Sequence, residues 1–356
     1  MPPRVTTWVA AFCGVLTLAS CHGAPPEKAE PPLVARQMPA ASAGVAPPSS
    51  VALAPSTAAP ALGASARRPE ADASFRFPPA DRVVAIGDLH GDVVAARRAL
   101  VLAGAIDEKE RWVGGTLVVV QTGDEIDRGD GDRTIIELFD RIADAAQARG
   151  GRVLPLIGNH EAINVAEDFR YVTRGGFAAF SDVDTARVPR SILEQFPREA
   201  RGRVAAFFPG GPAARRLAER RAVVVVGDTV FVHGGVTSDH VHYGISRLNR
   251  ELSRWMSGDG PPSALANDPE GPLWTRRYSD DKSGVDCGGL EAALAALSAK
   301  RMVVGHTPHP EGVSAACDGR VWRIDTGLSA YYGGPMEILE IRGDRVSVLK
   351  GTSARR

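Results

Sequence analysis

Val118-Val119-Val120-Gln121-Thr122-Gly123-Asp124-Glu125-Ile126-Asp127-Arg128-Gly129 joins a short β-branched run to a Gly-Asp step, two further charges and a second Gly. An apolar run of this kind is a strand buried in a parallel sheet. The loop at the carboxyl end of such a strand is where α/β proteins place ligands. Two Asp and one Arg delivered to that edge need partners for their charge, which a metal and a phosphate would supply. The rest of the chain is therefore read for what meets Asp124.

The same grammar recurs on both sides. Arg82 to Ile86 is a β run ending in Gly87-Asp88-Leu89-His90, and a helix is expected from Val93 to about Ala103. Strand 116–122 is followed by a helix from Asp132 to Arg149, with Ile135, Ile136, Leu138, Phe139 and Ile142 on its apolar face. Val153 to Ile157 is a third strand, running into Gly158-Asn159-His160-Glu161. Strand, polar motif and helix in succession give an α/β architecture whose site collects loops at one sheet edge. Residues 162–221 read as a mainly helical insertion over that site.

Beyond it, Ala222 to Val226 and Val230 to Val232 form a hairpin through Gly227-Asp228, ending in His233-Gly234-Gly235. Residues 238–257 read as helix, 258–286 as loop, and Leu290 to Ala299 as an Ala/Leu helix. Met302 to Val304 is a strand ending in Gly305-His306-Thr307, and the remainder is β-rich with turns at Asp318-Gly319 and Gly343-Asp344.

Five strand ends thus carry Gly beside Asp, Asn or His. Of the eight His in the chain, His90, His160, His233 and His306 close apolar runs in the same way. The others, His22, His240, His242 and His309, read as surface or structural residues. One Gly-Asp at a strand end is usually a turn, so the joint order carries the argument. A mixed Asp, Asn and His set suits divalent transition metals better than calcium or magnesium. Two such ions sharing a carboxylate would clamp a phosphate.

The order of motifs resembles the calcineurin-like metallophosphoesterases, and among them the phosphoprotein phosphatases. Gly123-Asp124-x-x-Asp127-Arg128-Gly129 and Gly158-Asn159-His160-Glu161 carry that resemblance. Asn164, Asp168-Phe169-Arg170-Tyr171-Val172, Leu273-Trp274-x-Arg276 and Val321-Trp322-Arg323-Ile324-Asp325 are similar to its Shewanella-like branch. The match spans about residues 82–345. It implies a β-sandwich of mixed sheets flanked by helices, and a phosphomonoesterase using in-line attack by a metal-bridging hydroxide. Asp88, His90 and Asp124 would hold one metal; Asp124, Asn159, His233 and His306 the other, so Asp124 bridges. Manganese, iron and zinc are the candidates, manganese favoured. His160 would serve the leaving oxygen, oriented by Asp127, and Arg128 would grip phosphate with its forked donors. The family's second phosphate-binding Arg has no aligned counterpart, and Arg276 and Arg170 are the candidates. The substrate is expected to be phosphorylated protein or peptide, with nucleotides, dinucleoside polyphosphates or small phosphate esters as the alternative. A non-catalytic binding lipoprotein is a third reading, against which the complete ligand set speaks.

The ends of the chain concern location. Arg4 precedes a mostly apolar stretch to Leu18, too short for a comfortable membrane span. Leu18-Ala19-Ser20-Cys21 resembles a bacterial lipobox, with residues 1–20 removed and Cys21 lipidated; an ordinary signal peptide with a chance Cys, or an uncleaved anchor, is the alternative. Residues 21–76 are an Ala/Pro-rich tether with little to bury, leading to a catalytic domain over 77–350. An exported, lipid-anchored monomer is expected. Of the four Cys, Cys13 lies in the expected signal, and Cys287 and Cys317, the two in the folded part, either pair or stay as buried thiols. With 24% charged residues and zero formal net charge over 356 residues, nothing favours nucleic-acid binding.

Overall fold

The computed structural model describes residues 75–352; the expected signal, Cys21 and the tether to residue 74 lie outside them. The strands in chain order are β1 (Arg76–Phe77), β2 (Val83–Ile86), β3 (Val118–Gln121), β4 (Arg152–Pro155), β5 (Val223–Val226), β6 (Thr229–Val232), β7 (Arg301–Val304), β8 (Ser314–Ala316), β9 (Val321–Arg323), β10 (Glu337–Arg342) and β11 (Arg345–Lys350). They form two mixed sheets, ordered β11-β10-β2-β3-β4 and β1-β5-β6-β7-β9-β8. In the first, β2, β3 and β4 run parallel; in the second, β6, β7 and β9 do.

Residue alternation explains why these strands read as continuous apolar runs. Val83, Ala85, Val118 and Val120 of one sheet meet Val224, Val226, Phe231 and Val303 of the other in the sandwich interior. The intervening Val84, Ile86 and Val119 point the opposite way, onto helices α1 (Val93–Leu102) and α2 (Asp132–Gln147). Both faces of β2, β3, β6 and β7 are covered, so period-2 alternation carries no polar signal there. The expected sandwich of mixed sheets flanked by helices is what the chain forms.

Residues between β4 and β5 are helical: α3 (Asn159–Val165), α4 (Arg174–Ala178), α5 (Arg190–Leu193), α6 (Arg201–Phe207) and α7 (Pro212–Ala218). Two later helices depart from expectation. Residues 238–257 split into α8 (Ser238–Tyr243) and α9 (Ile245–Ser257) at Gly244, whose φ of 105° no L-residue adopts comfortably. The Ala/Leu helix, α10 (Cys287–Leu297), starts earlier than Leu290 despite Gly288-Gly289. Asp286 caps it by accepting from the Gly289 N–H at 2.8 Å. Cys287 in its first turn is disulfide-bonded to Cys317.

Candidate metal centre and active site

Because β2, β3, β4, β6, β7 and β9 are parallel within their sheets, six carboxyl ends bring their loops to one edge of the sandwich. The loops approach so closely that side chains are excluded at set points. A Cβ on Gly305 would lie 2.4 Å from Asp88 Oδ1, and one on Gly123 (φ 95°) 2.4 Å from the Gly158 nitrogen. The backbone is strained here. His90, Asp124, Asp127, Arg128 and His306 have φ of 43°, 57°, 70°, 65° and 68°. Left-handed non-Gly residues cost energy and persist where surrounding contacts over-determine them. For Asp124 those contacts are visible: its N–H donates to Glu161 Oε2 at 2.9 Å, and its carbonyl accepts from Leu89 and His90 at 2.9 and 3.0 Å.

Two groups of buried donors share Asp124. Ligand atoms of His90, Asp124 and His160 lie within 4.8 Å of one another, as do those of Asp124, His233 and His306. Asp124 Oδ2 is 3.9 Å from His90 Nε2, 3.8 Å from His160 Nε2 and 3.3 Å from His233 Nε2. Asp88 reaches both sides, 4.0 Å from His90 Nε2 and 4.0 Å from His233 Nδ1, and it accepts from the His306 N–H at 3.2 Å. Asn159 Oδ1 lies 2.8 Å from His233 Nε2. All six expected ligands therefore converge.

The donor chemistry fits metal ions. His90 and His233 turn Nδ1 to the carbonyls of Ile126 (3.3 Å) and Thr122 (2.9 Å), which leaves Nε2 as the atom facing the cluster. Ligating histidines are held by such bonds to backbone carbonyls. His233 Nε2, Asn159 Oδ1 and Asp124 Oδ2 are then electron-rich atoms converging on a point that only a proton or a cation can occupy. His306 Nε2 and Asp325 Oδ2 are buried with no hydrogen-bond partner. Burial, then neighbouring His160, holds His90 well below the ordinary histidine range. Burial, then His233, does the same for His306. Both imidazoles are thus neutral at pH 7, as ligation requires. Burial opposes the charge of Asp124, yet the facing His233 and His160 rings keep its carboxyl well below the usual range.

His160 is set apart from the ligands by its other nitrogen. Nδ1 lies 2.7 Å from Asp127 Oδ2, and Nε2 faces Asp124. Asp127 is fully buried and held on every side. Asn164 Nδ2 donates to both its oxygens at 3.1 and 3.0 Å, Arg203 Nη2 to Oδ1 at 3.0 Å, and its own N–H to Asp132 Oδ1 at 3.0 Å.

The Arg128 guanidinium lies over this edge, with Nη1 2.9 Å from His90 Nε2 and bonded to the Tyr332 hydroxyl. Tyr171, Tyr332 and Tyr331 surround it, ring centroids 5.0, 5.2 and 5.5 Å from its central carbon. Of the two further Arg candidates, Arg276 borders the cluster: Nη1 donates to the His306 carbonyl at 3.1 Å and to Thr307 Oγ1 at 2.8 Å. Arg170 is taken up by Asp168 in a two-pronged pair at 2.9 and 2.5 Å.

Three residues at the site had no role from sequence. Asp325 follows β9 and faces Asp88, whose carboxyl burial and then Asp325 raise well above the usual range. Its signal was the same Ile-Asp strand end, masked by Trp322-Arg323. Glu161 joins two loops through backbone N–H groups. Arg203 gave only a weak signal, the second arginine of the Arg201-Gly202-Arg203 start of α6.

Known proteins are similar to this chain in sequence and fold. The signature described as calcineurin-like phosphoesterase matches residues 81–310. Shewanella-like protein phosphatase 2 of Arabidopsis thaliana is 38% identical over 300 residues, covering 75% of this chain and 77% of its own. Shewanella-like protein phosphatase 1 of Plasmodium berghei is 28% identical over 268 residues, covering 71% and 69%. The crystal structure of a cold-active protein-tyrosine phosphatase from a psychrophilic Shewanella superposes with a TM-score of 0.60 at 21% identity, over 78% of this chain and 82% of that one. The signature runs from two residues before β2 to just past His306, through the ends of β2, β3, β4, β6 and β7. By that match and by its kinship with the plant phosphatase, the chain belongs to the calcineurin-like phosphoesterase family.

Proposed function

We propose that the chain is a metal-dependent phosphomonoesterase acting on phosphorylated protein. The observation that carries this is the convergence of five buried ligand residues on a sixth, Asp124, beneath a guanidinium. Asp88, His90 and Asp124 would hold one divalent ion, and Asp124, Asn159, His233 and His306 a second. When bound, such ions supply Lewis acidity toward phosphoryl oxygens.

The chain's own residues do the rest. Arg128 presents two parallel donors to phosphoryl oxygens, a geometry Lys cannot reproduce. Arg276, beside His306, is the better-placed second cation. His160, with Nδ1 committed to Asp127, has Nε2 available to give a proton to the departing oxygen. Tyr171, Tyr331 and Tyr332 offer flat faces around Arg128, which favours a substrate with an aromatic leaving group, the phenolate of phosphotyrosine, over the alkoxide of phosphoserine. The three similar proteins described above are protein phosphatases by name, which supports the same broad class. Manganese is the favoured metal. The leader sequence supports export and a lipid on Cys21, with the domain carried on the Pro-rich tether as a monomer.

The test is phosphate release from phosphotyrosyl, phosphoseryl and phosphothreonyl peptides and from nucleotides, with added Mn²⁺ and with chelator. Chelator-sensitive release from peptides, greatest for phosphotyrosine, is expected. Cleavage confined to nucleotides, or release that survives chelation, would overturn the reading.

A further inference from the structure

We propose that Arg203, on α6 of the helical insertion, is a positioning residue that locks the Asp127–His160 pair in its proton-donating arrangement. The inference rests on the role given to His160 above.

Arg203 is fully buried, and its planar fork is spent on this one network. Nη2 donates to Asp127 Oδ1 at 3.0 Å. Nη1 donates to Asp132 Oδ2 at 2.6 Å and to the Gly176 carbonyl at 3.0 Å. Nε donates to Asn164 Oδ1 at 2.9 Å. The Phe207 and Phe180 rings, 4.7 and 5.3 Å from its central carbon, hold the plane.

Three of these bonds constrain Asp127. By occupying Oδ1, Arg203 leaves Oδ2 for His160. By occupying Asn164 Oδ1, it fixes the amide so that Nδ2 must face Asp127 and the His160 carbonyl, 2.9 Å away. By anchoring Asp132, it fixes the acceptor of the Asp127 N–H. The carboxylate that orients His160 can therefore neither rotate nor shift without breaking a bond to Arg203.

Stability alone does not explain the residue. Well-packed apolar side chains often replace a buried ion-pair network without loss, and Phe180 and Phe207 already supply an apolar setting. What an apolar side chain would not do is hold Asp127.

The distinguishing readout is dependence on the leaving group. 4-Nitrophenolate departs readily without a proton, whereas the more basic phenolate of phenyl phosphate needs one. Both are aryl esters of nearly the same shape. Arg203→Gln removes charge and fork; Arg203→Lys keeps the charge and loses the fork. Both are assayed beside the parent on the two esters with Mn²⁺, with bound metal and thermal unfolding measured.

We expect each variant to keep its metals and to lose about 100-fold in kcat on phenyl phosphate, in the range of general acid catalysis. The loss on 4-nitrophenyl phosphate should stay below about tenfold. Asp132→Asn, which weakens the anchor and leaves Arg203 in place, should show the same bias to a smaller degree. Equal losses on both esters in a folded, metal-loaded variant, no loss on either, or collapse of the fold in all three variants would overturn the proposal. Failure of the phosphatase reading would look different, because the parent itself would then cleave neither ester.

Discussion

Replacing Glu161 with Gln changes one atom of a buried carboxylate that ties two site loops together. Oε2 accepts from the Asp124 and Gly158 N–H groups at 2.9 and 2.7 Å, and Oε1 from the Glu125 N–H at 2.8 Å. Gln retains one carbonyl oxygen, which can keep the two Oε2 bonds. Its NH₂ then faces the Glu125 N–H, donor against donor. An orphaned buried donor costs about 1–3 kcal/mol. A compensating effect works the other way: burial, then the Asp124 charge, already raises the Glu161 carboxyl, so removing its charge relieves some repulsion. The net cost should therefore lie in the lower part of that range, about 1–2 kcal/mol. At roughly 2–4 °C per kcal/mol for a domain of this size, the chelated variant should melt about 2–8 °C below the parent. Because those bonds also hold Asp124 at φ 57°, metal affinity should fall about 10–100-fold, as when other outer-sphere partners are removed. Thermal unfolding and metal titration read the two effects. An unchanged melting temperature together with unchanged metal affinity would refute the reasoning.

Arg128→Lys should leave the metal count unchanged and lower kcat/KM about 10–100-fold, the loss expected when a forked, aromatic-stacked guanidinium becomes a point charge; steady-state kinetics with no change would refute the phosphate role. Glu125→Gln tests a pH effect in the chelated protein. Burial, offset only in part by Arg220, raises the Glu125 carboxyl to about 7. The folded state thus binds a proton that the unfolded chain has already released above its ordinary value of 4.5, so this group's contribution to stability falls as pH rises through 7. The variant, which mimics the protonated form, should gain on the parent by roughly 1–3 kcal/mol between pH 5 and 8. Urea unfolding showing a pH-independent difference would contradict this.

Much of the site was legible because the physics is local. Asp88, Asp124, Asn159, His233 and His306 each follow a short apolar strand, and parallel strands must deliver their ends to one edge. The sandwich itself came through the family resemblance, since runs such as Val223–Val226 are apolar throughout and do not say which sheet they join. What was not legible depends on distant contacts. Arg203 meets Asp127 across 76 residues of sequence. Two-residue β1 has no periodicity to read, and Gly288-Gly289 looks like a helix breaker until the Asp286 cap and the Cys287–Cys317 bridge are seen. The split at Gly244 is the opposite case, a glycine that does interrupt what the apolar spacing presented as one helix.

The central claim is that one carboxylate, Asp124, is shared by two metal ions. The most direct measurement is the metal content per chain of the Mn²⁺-loaded parent and of Asp124→Asn, determined by elemental analysis beside phosphatase activity. The account predicts two ions per parent chain, no more than one in the variant, and near-complete loss of phosphate release. Two tightly held ions in an Asp124→Asn protein, or activity in a variant that holds none, would contradict it.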